Sequence, residues 1–222
     1  MDDNGCRLAT LERVLCGVTR VGDVPGMEIP SRYFRFLRSG DARPLEAVLE
    51  HNRLDLISLA AVTAHAIELA EEGSARCRDA AEALALGKVY DRAGRGDRSI
   101  TCYERAVDDP AAHIDVVAEA LYRLGLRFRR ERRYEDAARI WHRILDLRQG
   151  RHGRRSELLP ALRRFATEAL AIHHEHREKD FEGAKEFALQ LLDEPECVKY
   201  TDAARHRVAR LDRKIRRIPL LD

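Results

Sequence analysis

Two segments of the chain repeat one spacing of glycine, small and aromatic residues, and this spacing favours a fold of paired helices. In each segment a small residue follows the glycine by twelve positions and an aromatic residue follows it by sixteen. The two sets are Gly87, Ser99 and Tyr103, and Gly125, Ala137 and Trp141. Apolar residues recur around both sets at helical intervals. We therefore expect Gly87 to face Tyr103, and Gly125 to face Trp141, where two helices approach closely.

The pattern is similar to the tetratricopeptide repeat, in which paired helices pack small residues against large ones. The interval from Gly87 to Gly125 is 38 residues, against about 34 in that repeat, which predicts a lengthened connection. A degenerate third unit follows over residues 169–191, and a polar helix at about 200–217 would cap the stack. The resemblance implies an α-helical solenoid over residues 80–218. An irregular helical bundle is the alternative.

A second feature, the segment His51-Asn52-Arg53-Leu54-Asp55, lies ahead of a long apolar-periodic helix. A helix would place His51 and Asp55 on one face, because they are four residues apart. An imidazole one turn from a carboxylate is half of a metal-dependent hydrolytic site. The alternative is a surface pair or a capping arrangement. We expect a preceding helix to end near His51 and Asn52 to cap the next one.

Several short segments before and around this motif occur in a characteristic order. They are Arg7–Glu12, Gly22–Gly26, Glu28–Pro30, Tyr33–Phe34, Gly40–Asp41 and His51–Leu59. Over about residues 5–70 they resemble the C-terminal end of the YprB-like, RNase H-type exonuclease domain of the DEDD superfamily. That resemblance implies 3′–5′ cleavage of nucleic acid by Mg²⁺ or Mn²⁺ held on carboxylates. Asp55 matches the last metal-binding carboxylate, and His51 matches the residue that orients the attacking water.

The chain departs from this family pattern in two ways. The spacing of His51 and Asp55 is that of the relatives with a tyrosine at the first position. The family pattern also opens with a strand that carries Asp-x-Glu, and nothing before Arg7 matches it. A truncated product, a start assigned too late, or a partner chain that supplies the rest would each explain the difference. We therefore expect the isolated chain to be catalytically incomplete.

These patterns together predict a mostly α-helical protein in two parts. Residues 1–72 would be the C-terminal remnant of an RNase H-like α/β domain. A linker over residues 73–79 would lead to the helical repeats of residues 80–218.

Charge is unevenly distributed, although the net charge is only +2. Residues 121–165 hold 14 arginines and 5 acidic residues, whereas residues 41–120 hold 16 acidic and 9 basic residues. A basic face of this kind can bind phosphate. The candidate nucleic-acid-binding residues are Arg127, Arg129, Arg130, Arg132, Arg133, Arg151, Arg154 and Arg155. The alternative is a solvated surface that the acidic half neutralises.

Composition excludes several classes of protein. No apolar run is long enough for a membrane span, and the polar, acidic start is not a secretory signal. The 5 cysteines are scattered and never occur as Cys-x-x-Cys, which favours free thiols in a cytoplasmic protein. His173, His174 and His176 predict a solvated helical face, because no carboxylate stands at a known zinc-site spacing and His174 should point away from the other two.

The favoured function is nucleic-acid processing by a relative of metal-dependent exonucleases. The alternative is a non-catalytic module that binds a protein partner through the helical repeats. The sequence does not distinguish DNA from RNA as the substrate, and it names no partner.

Overall fold

The structure is a computed structural model that describes residues 7–148, 156, 158–193 and 198–216, with residues 198–200 described as backbone only. Within these residues it contains ten α-helices and no strand. The chain divides into two compact units, which span residues 1–72 (unit 1) and 73–222 (unit 2). None of the helices in the described part of the chain is long and apolar enough to cross a membrane.

Unit 1 contains three α-helices, two of which pack against the third. They are α1 (Leu8–Leu11), α2 (Ile29–Ser39) and α3 (Arg43–Glu72). A π-helical turn, Glu12–Cys16, continues α1, and it also contacts α3. Helix α2 ends at Gly40, which adopts a left-handed conformation with φ of 68° and donates its N–H to the Phe36 carbonyl. Residues without a Cβ adopt this conformation at little cost, which explains the glycine at this end.

Helix α3 runs without interruption through the His51–Asp55 segment. The prediction that one helix ends near His51 and that Asn52 caps another is therefore wrong. Beyond Pro44, which lies in the first turn, the helix contains neither proline nor glycine, so nothing blocks its backbone hydrogen bonds. The Asn52 side chain is exposed to solvent on this helix.

Unit 2 contains the other seven α-helices. They are α4 (Ala80–Arg92), α5 (Gly96–Val107), α6 (Ile114–Arg130), α7 (Tyr134–Asp146), α8 (Leu159–His173), α9 (Phe181–Gln190) and α10 (Val198–Ile215). Each helix packs against the next one along the chain. Helix α4 also contacts α6, and α6 contacts α8. This pattern of neighbouring and next-but-one contacts brings alternate helices side by side.

The two predicted contacts between glycine and aromatic residues are present. A Cβ built on Gly87 would overlap the Tyr103 ring, and one built on Gly125 would overlap the Trp141 ring. Both rings are buried, since Tyr103 is completely inaccessible to solvent and Trp141 is 2% exposed. The absence of a side chain at each glycine lets a large ring approach the neighbouring helix backbone.

The turns after α4 and α6 share one backbone conformation. Gly94 and Arg132 both have positive φ, at 71° and 62°, and they are 38 residues apart. In each turn a backbone N–H closes the helix end, from Arg95 to the Tyr90 carbonyl at 2.8 Å and from Arg133 to the Phe128 carbonyl at 2.9 Å. The internal similarity therefore extends beyond the helices to their connections.

Candidate functional site

His51 and Asp55 lie on one face of α3, as their spacing predicts. His51 Nε2 is 3.4 Å from Asp55 Oδ2, and the Asp55 side chain is 41% exposed. On its other side, His51 Nδ1 donates to Asp23 Oδ1 at 2.6 Å. Asp23 belongs to the loop that precedes α2. The imidazole is therefore held between two carboxylates.

The guanidinium of Arg20 connects the carboxylates of Asp23 and Asp55 to a third carboxylate, that of Glu12. Arg20 Nη2 is 2.6 Å from Asp55 Oδ1, and Arg20 Nη1 donates to Asp23 Oδ2 at 3.2 Å. Arg20 Nε donates to Glu12 Oε2 at 2.8 Å, where Glu12 is almost fully buried in the π-helical turn. We call Glu12, Arg20, Asp23, His51 and Asp55 the carboxylate cluster. Sequence reasoning missed Arg20 because no short motif connects it to Asp55.

The electrostatics of the carboxylate cluster lower the pKa values of Glu12 and Asp23. The hydrogen bond from Arg20 holds the pKa of Glu12 below its ordinary value, although burial opposes this. Burial would raise the pKa of Asp23, but the hydrogen bonds from His51 and Arg20 outweigh it, and the net pKa shift is downward. The pKa of Arg20 is raised, chiefly by Glu12. The cluster is thus a network of fixed charges in which Arg20 is the central cation.

The side chains of this cluster, in the part of unit 1 that the structure describes, are not grouped as the ligands of one divalent cation. Within the described part of unit 1, no three ligand atoms from histidine, cysteine or acidic side chains converge closely enough to hold an ion. The Arg20 guanidinium already provides the positive charge beside Asp55. An RNase H-type site needs several carboxylates that converge on its cations, and the described residues of this unit lack that arrangement.

The carboxylate cluster lies in a segment that is similar to a known family of domains. Residues 2–67 match the RNase_H superfamily model. The matched segment includes every residue of the carboxylate cluster. Over 214 residues the chain is also 29% identical to the uncharacterized protein YprB of Bacillus subtilis strain 168. That alignment covers 93% of this chain but 48% of YprB, so the chain spans about half the length of this relative. No solved structure gives a significant match to the chain.

Three of the predicted nucleic-acid-binding arginines are paired with acidic side chains. Arg127 lies 3.4 Å from Asp91, and Arg130 lies 3.5 Å from the same carboxylate. Arg133 donates to Asp136 at 2.7 Å. These contacts neutralise much of the positive charge that the sequence places at the end of α6.

Two further arginines of this set have no acidic partner in the part of the chain that the structure describes, and both are exposed. They are Arg129 and Arg132. Arg129 borders a cavity of about 410 Å³ whose wall also includes Tyr134, Trp141 and Arg177. The other predicted residues, Arg151, Arg154 and Arg155, lie outside the described residues.

The three neighbouring histidines differ from the prediction of one solvated face. His173 is buried at the end of α8, and His176 is exposed. His174 lies 2.9 Å from Glu178 and 3.0 Å from Asp180. The prediction of a solvated face is wrong for His173, because this residue is the last of α8 and is buried with the apolar side of that helix.

Proposed function

We propose that this chain is a nuclease-like nucleic-acid processing protein, in which unit 1 contributes His51 and Asp55 to an RNase H-type site. The observation that carries the proposal is the pairing of His51 with Asp55 on one face of α3, inside the segment that matches the RNase H superfamily. Asp23 adds a further carboxylate at hydrogen-bonding distance from the same imidazole. Mg²⁺ or Mn²⁺ would be the cofactor of such a site once further carboxylates complete it.

In our proposal the chain is catalytically incomplete as it stands. Arg20 neutralises Asp55 and Asp23 directly, and it connects them to the buried Glu12. This arrangement stabilises the cluster without a metal ion. The carboxylates of Asp23 and Asp55 hold the His51 imidazole in a fixed position between them.

The surface of α3 supports the view that unit 1 is part of a larger domain. Leu49, Leu56, Leu59 and Ile67 lie at helical spacing and are between 53% and 71% exposed. Soluble proteins rarely leave a continuous apolar stripe uncovered. An RNase H-type domain has a sheet against which its helices pack, and we propose that this stripe, the α3 apolar face, packs against further polypeptide of that domain.

A nuclease assay tests the proposed incompleteness. The chain is incubated with a 3′-labelled single-stranded oligonucleotide and Mg²⁺ or Mn²⁺, and the products are separated by size. We expect no trimming, because the described carboxylates do not converge on a cation site. Metal-dependent trimming that disappears in Asp55→Ala would contradict the proposal, since it would mean that the chain completes its own site.

Nucleic-acid binding is tested separately by fluorescence anisotropy with labelled single-stranded DNA and RNA. Binding through phosphate should weaken steeply between about 50 and 200 mM salt, because each contact releases counterions. The double substitution Arg129→Ala with Arg132→Ala should reduce affinity more than the control Arg130→Ala, since Arg130 is already paired with Asp91. Equal affinity for all of these variants would remove the exposed arginines from the proposal.

The second candidate is a protein-interaction module of the tetratricopeptide type. It is supported by the two glycine–aromatic contacts between paired helices and by the contacts of α4 with α6 and of α6 with α8. Stacked helical repeats commonly form extended binding surfaces. If neither oligonucleotide binds at the lower salt concentration, this candidate becomes the favoured one.

A further inference from the structure

His174, Glu178 and Asp180 bring three metal-ligating atoms together at the end of α8, and we propose that they bind a divalent transition-metal ion such as Zn²⁺. His174 Nδ1 is 2.9 Å from Glu178 Oε2 and 3.0 Å from Asp180 Oδ2. The three ligand atoms lie within 4.8 Å of one another. This inference is independent of the proposed nuclease relationship.

The two nitrogen–oxygen distances are a few tenths of an ångström shorter than the spacing of ligand atoms around a bound ion, so small side-chain movements would admit one. Zinc binds imidazole nitrogen and carboxylate oxygen at about 2.0–2.2 Å, so the neighbouring ligand atoms of one tetrahedral ion lie about 3.3–3.6 Å apart. One nitrogen and two oxygens suit a borderline ion such as Zn²⁺ better than Mg²⁺ or Ca²⁺, which prefer oxygen alone. The ion would replace the direct contacts between His174 Nδ1 and the two carboxylates, and water would fill the remaining coordination positions.

Contacts outside the cluster hold two of its ligands in place. Asp180 caps α9, because its Oδ1 accepts the Gly183 backbone N–H at 2.9 Å. This leaves Oδ2 directed at His174. The imidazole of His174 packs against the Phe187 ring with centroids 5.2 Å apart. Outer contacts of this kind orient metal ligands and increase affinity.

A glycine keeps the space beside these atoms open. A Cβ at Gly183 would overlap Asp180 Oδ2 and would lie 3.1 Å from His174 Nδ1. Glycine is a weaker helix former than alanine. Here it leaves the point where the ligand atoms converge free of a side chain, which is a second observation in favour of an ion at this position.

A bound ion would connect the end of α8 to the start of α9. Glu178 and His174 belong to the π-helical turn, whereas Asp180 is the N-cap residue that precedes α9. Bringing the three into one coordination sphere would fix the turn between them. The site is therefore structural, and binding should raise the thermal stability of unit 2.

Isothermal titration of the full chain with ZnCl₂ tests the proposal. Asp180→Asn is the informative variant, because asparagine still caps a helix but removes the charged ligand. We expect it to lower Zn²⁺ affinity at least about tenfold, and His174→Ala should do the same. His176→Ala is the matched control, since this histidine lies in the same turn but outside the ligand set. It should leave affinity unchanged.

Thermal melting and a cysteine variant distinguish this site from other groups that could bind Zn²⁺. The melting temperature of the wild-type chain should rise with Zn²⁺, and that of Asp180→Asn should not. Cys16→Ser shows whether the exposed thiol accounts for any binding, and we expect it to keep the site. Absence of Zn²⁺ binding by the wild-type chain at about 100 µM metal, or equal affinity in Asp180→Asn, His174→Ala and wild type, would overturn the assignment.

Discussion

Arg20 holds Asp55 through a 2.6 Å contact between Nη2 and Oδ1, although the two residues lie on different segments of unit 1. The same guanidinium bonds the buried Glu12. The carboxylate that the family resemblance assigns to a metal ion is therefore stabilised in this chain by a cation of its own.

The first prediction is that Arg20→Met destabilises unit 1. The substitution leaves Glu12 buried without its partner, and hydrogen bonds to charged groups contribute about 1.5–3 kcal/mol each. Amide hydrogen exchange over α3 in the full chain should become faster, by the factor that corresponds to this loss of free energy. Arg53→Met is the control, because Arg53 is exposed on the same helix and pairs only with exposed Glu50. Equal protection in both variants would contradict the role of Arg20.

The second prediction concerns the core of unit 2. Trp141→Ala should lower the free energy of unfolding by about 3–5 kcal/mol, because it leaves a large cavity beside Gly125. Chemical denaturation followed by circular dichroism measures the effect. Tyr33→Ala, which removes an aromatic ring that is 50% exposed, should change the stability much less. If Trp141→Ala leaves the denaturation midpoint unchanged, α6 and α7 are not a repeat of the proposed type.

The third prediction follows from Glu175, whose side chain is completely buried among three cations. Burial would raise its pKa, but hydrogen bonds from Arg210 and Lys214 outweigh it and lower the pKa from 4.5 to about 2. Arg207 lies 3.1 Å from the same carboxylate. Since the folded pKa is below the unfolded one, this contribution is present above about pH 4.5 and is lost as the pH falls toward 2.

A stability profile against pH tests this interpretation. The contribution is at most about 3–4 kcal/mol, and solvent around the partly exposed Arg210 and Lys214 reduces it. Glu175→Gln should lower stability at neutral pH and flatten the decline between pH 4.5 and 2. Glu186→Gln, an exposed substitution on α9, should preserve the wild-type profile. If Glu175→Gln keeps the full acid dependence, the decline has another origin.

The fourth prediction concerns the α3 apolar face. The isolated chain should self-associate as its concentration rises, because Leu56 is 71% exposed and Leu59 is 55% exposed on one stripe. Sedimentation equilibrium should show a lower average mass for Leu56→Gln with Leu59→Gln. Val89→Gln changes an exposed apolar residue of α4 and should leave association intact. A wild-type chain that stays monomeric at all concentrations would contradict the proposal.

The fifth prediction is that Arg132→Gly stabilises unit 2. Arg132 has a φ of 62°, and a left-handed conformation costs a residue with a Cβ about 1–2 kcal/mol. Glycine avoids this conformational cost, but its greater freedom in the unfolded chain opposes folding. We therefore expect the free energy of unfolding to rise by about 1 kcal/mol in thermal or chemical denaturation. The same substitution at the last residue of α6, Arg130→Gly, should destabilise, because it removes the pairing with Asp91. A loss of stability in Arg132→Gly would contradict the conformational argument.

The sequence by itself was sufficient for features that depend on local spacing. Gly87 and Gly125 face the aromatic rings sixteen residues later, because two helices joined by a short turn place such positions opposite each other. His51 and Asp55 share a face because four residues nearly complete a helical turn. Even locally the inference has limits. His173 is buried at the end of α8, and its spacing from the other histidines did not indicate this.

Only the tertiary structure decided which charges meet. Arg20 pairs with Glu12, Asp23 and Asp55. Arg127 on α6 pairs with Asp91 on α4. Arginine side chains are long and have many rotamers, so their partners depend on which backbones the fold brings near. The same reason explains Glu175, whose burial and three cations come from α10. Periodicity specifies which face of a helix is apolar, whereas the pairing of distant charges is specified only when those faces have packed.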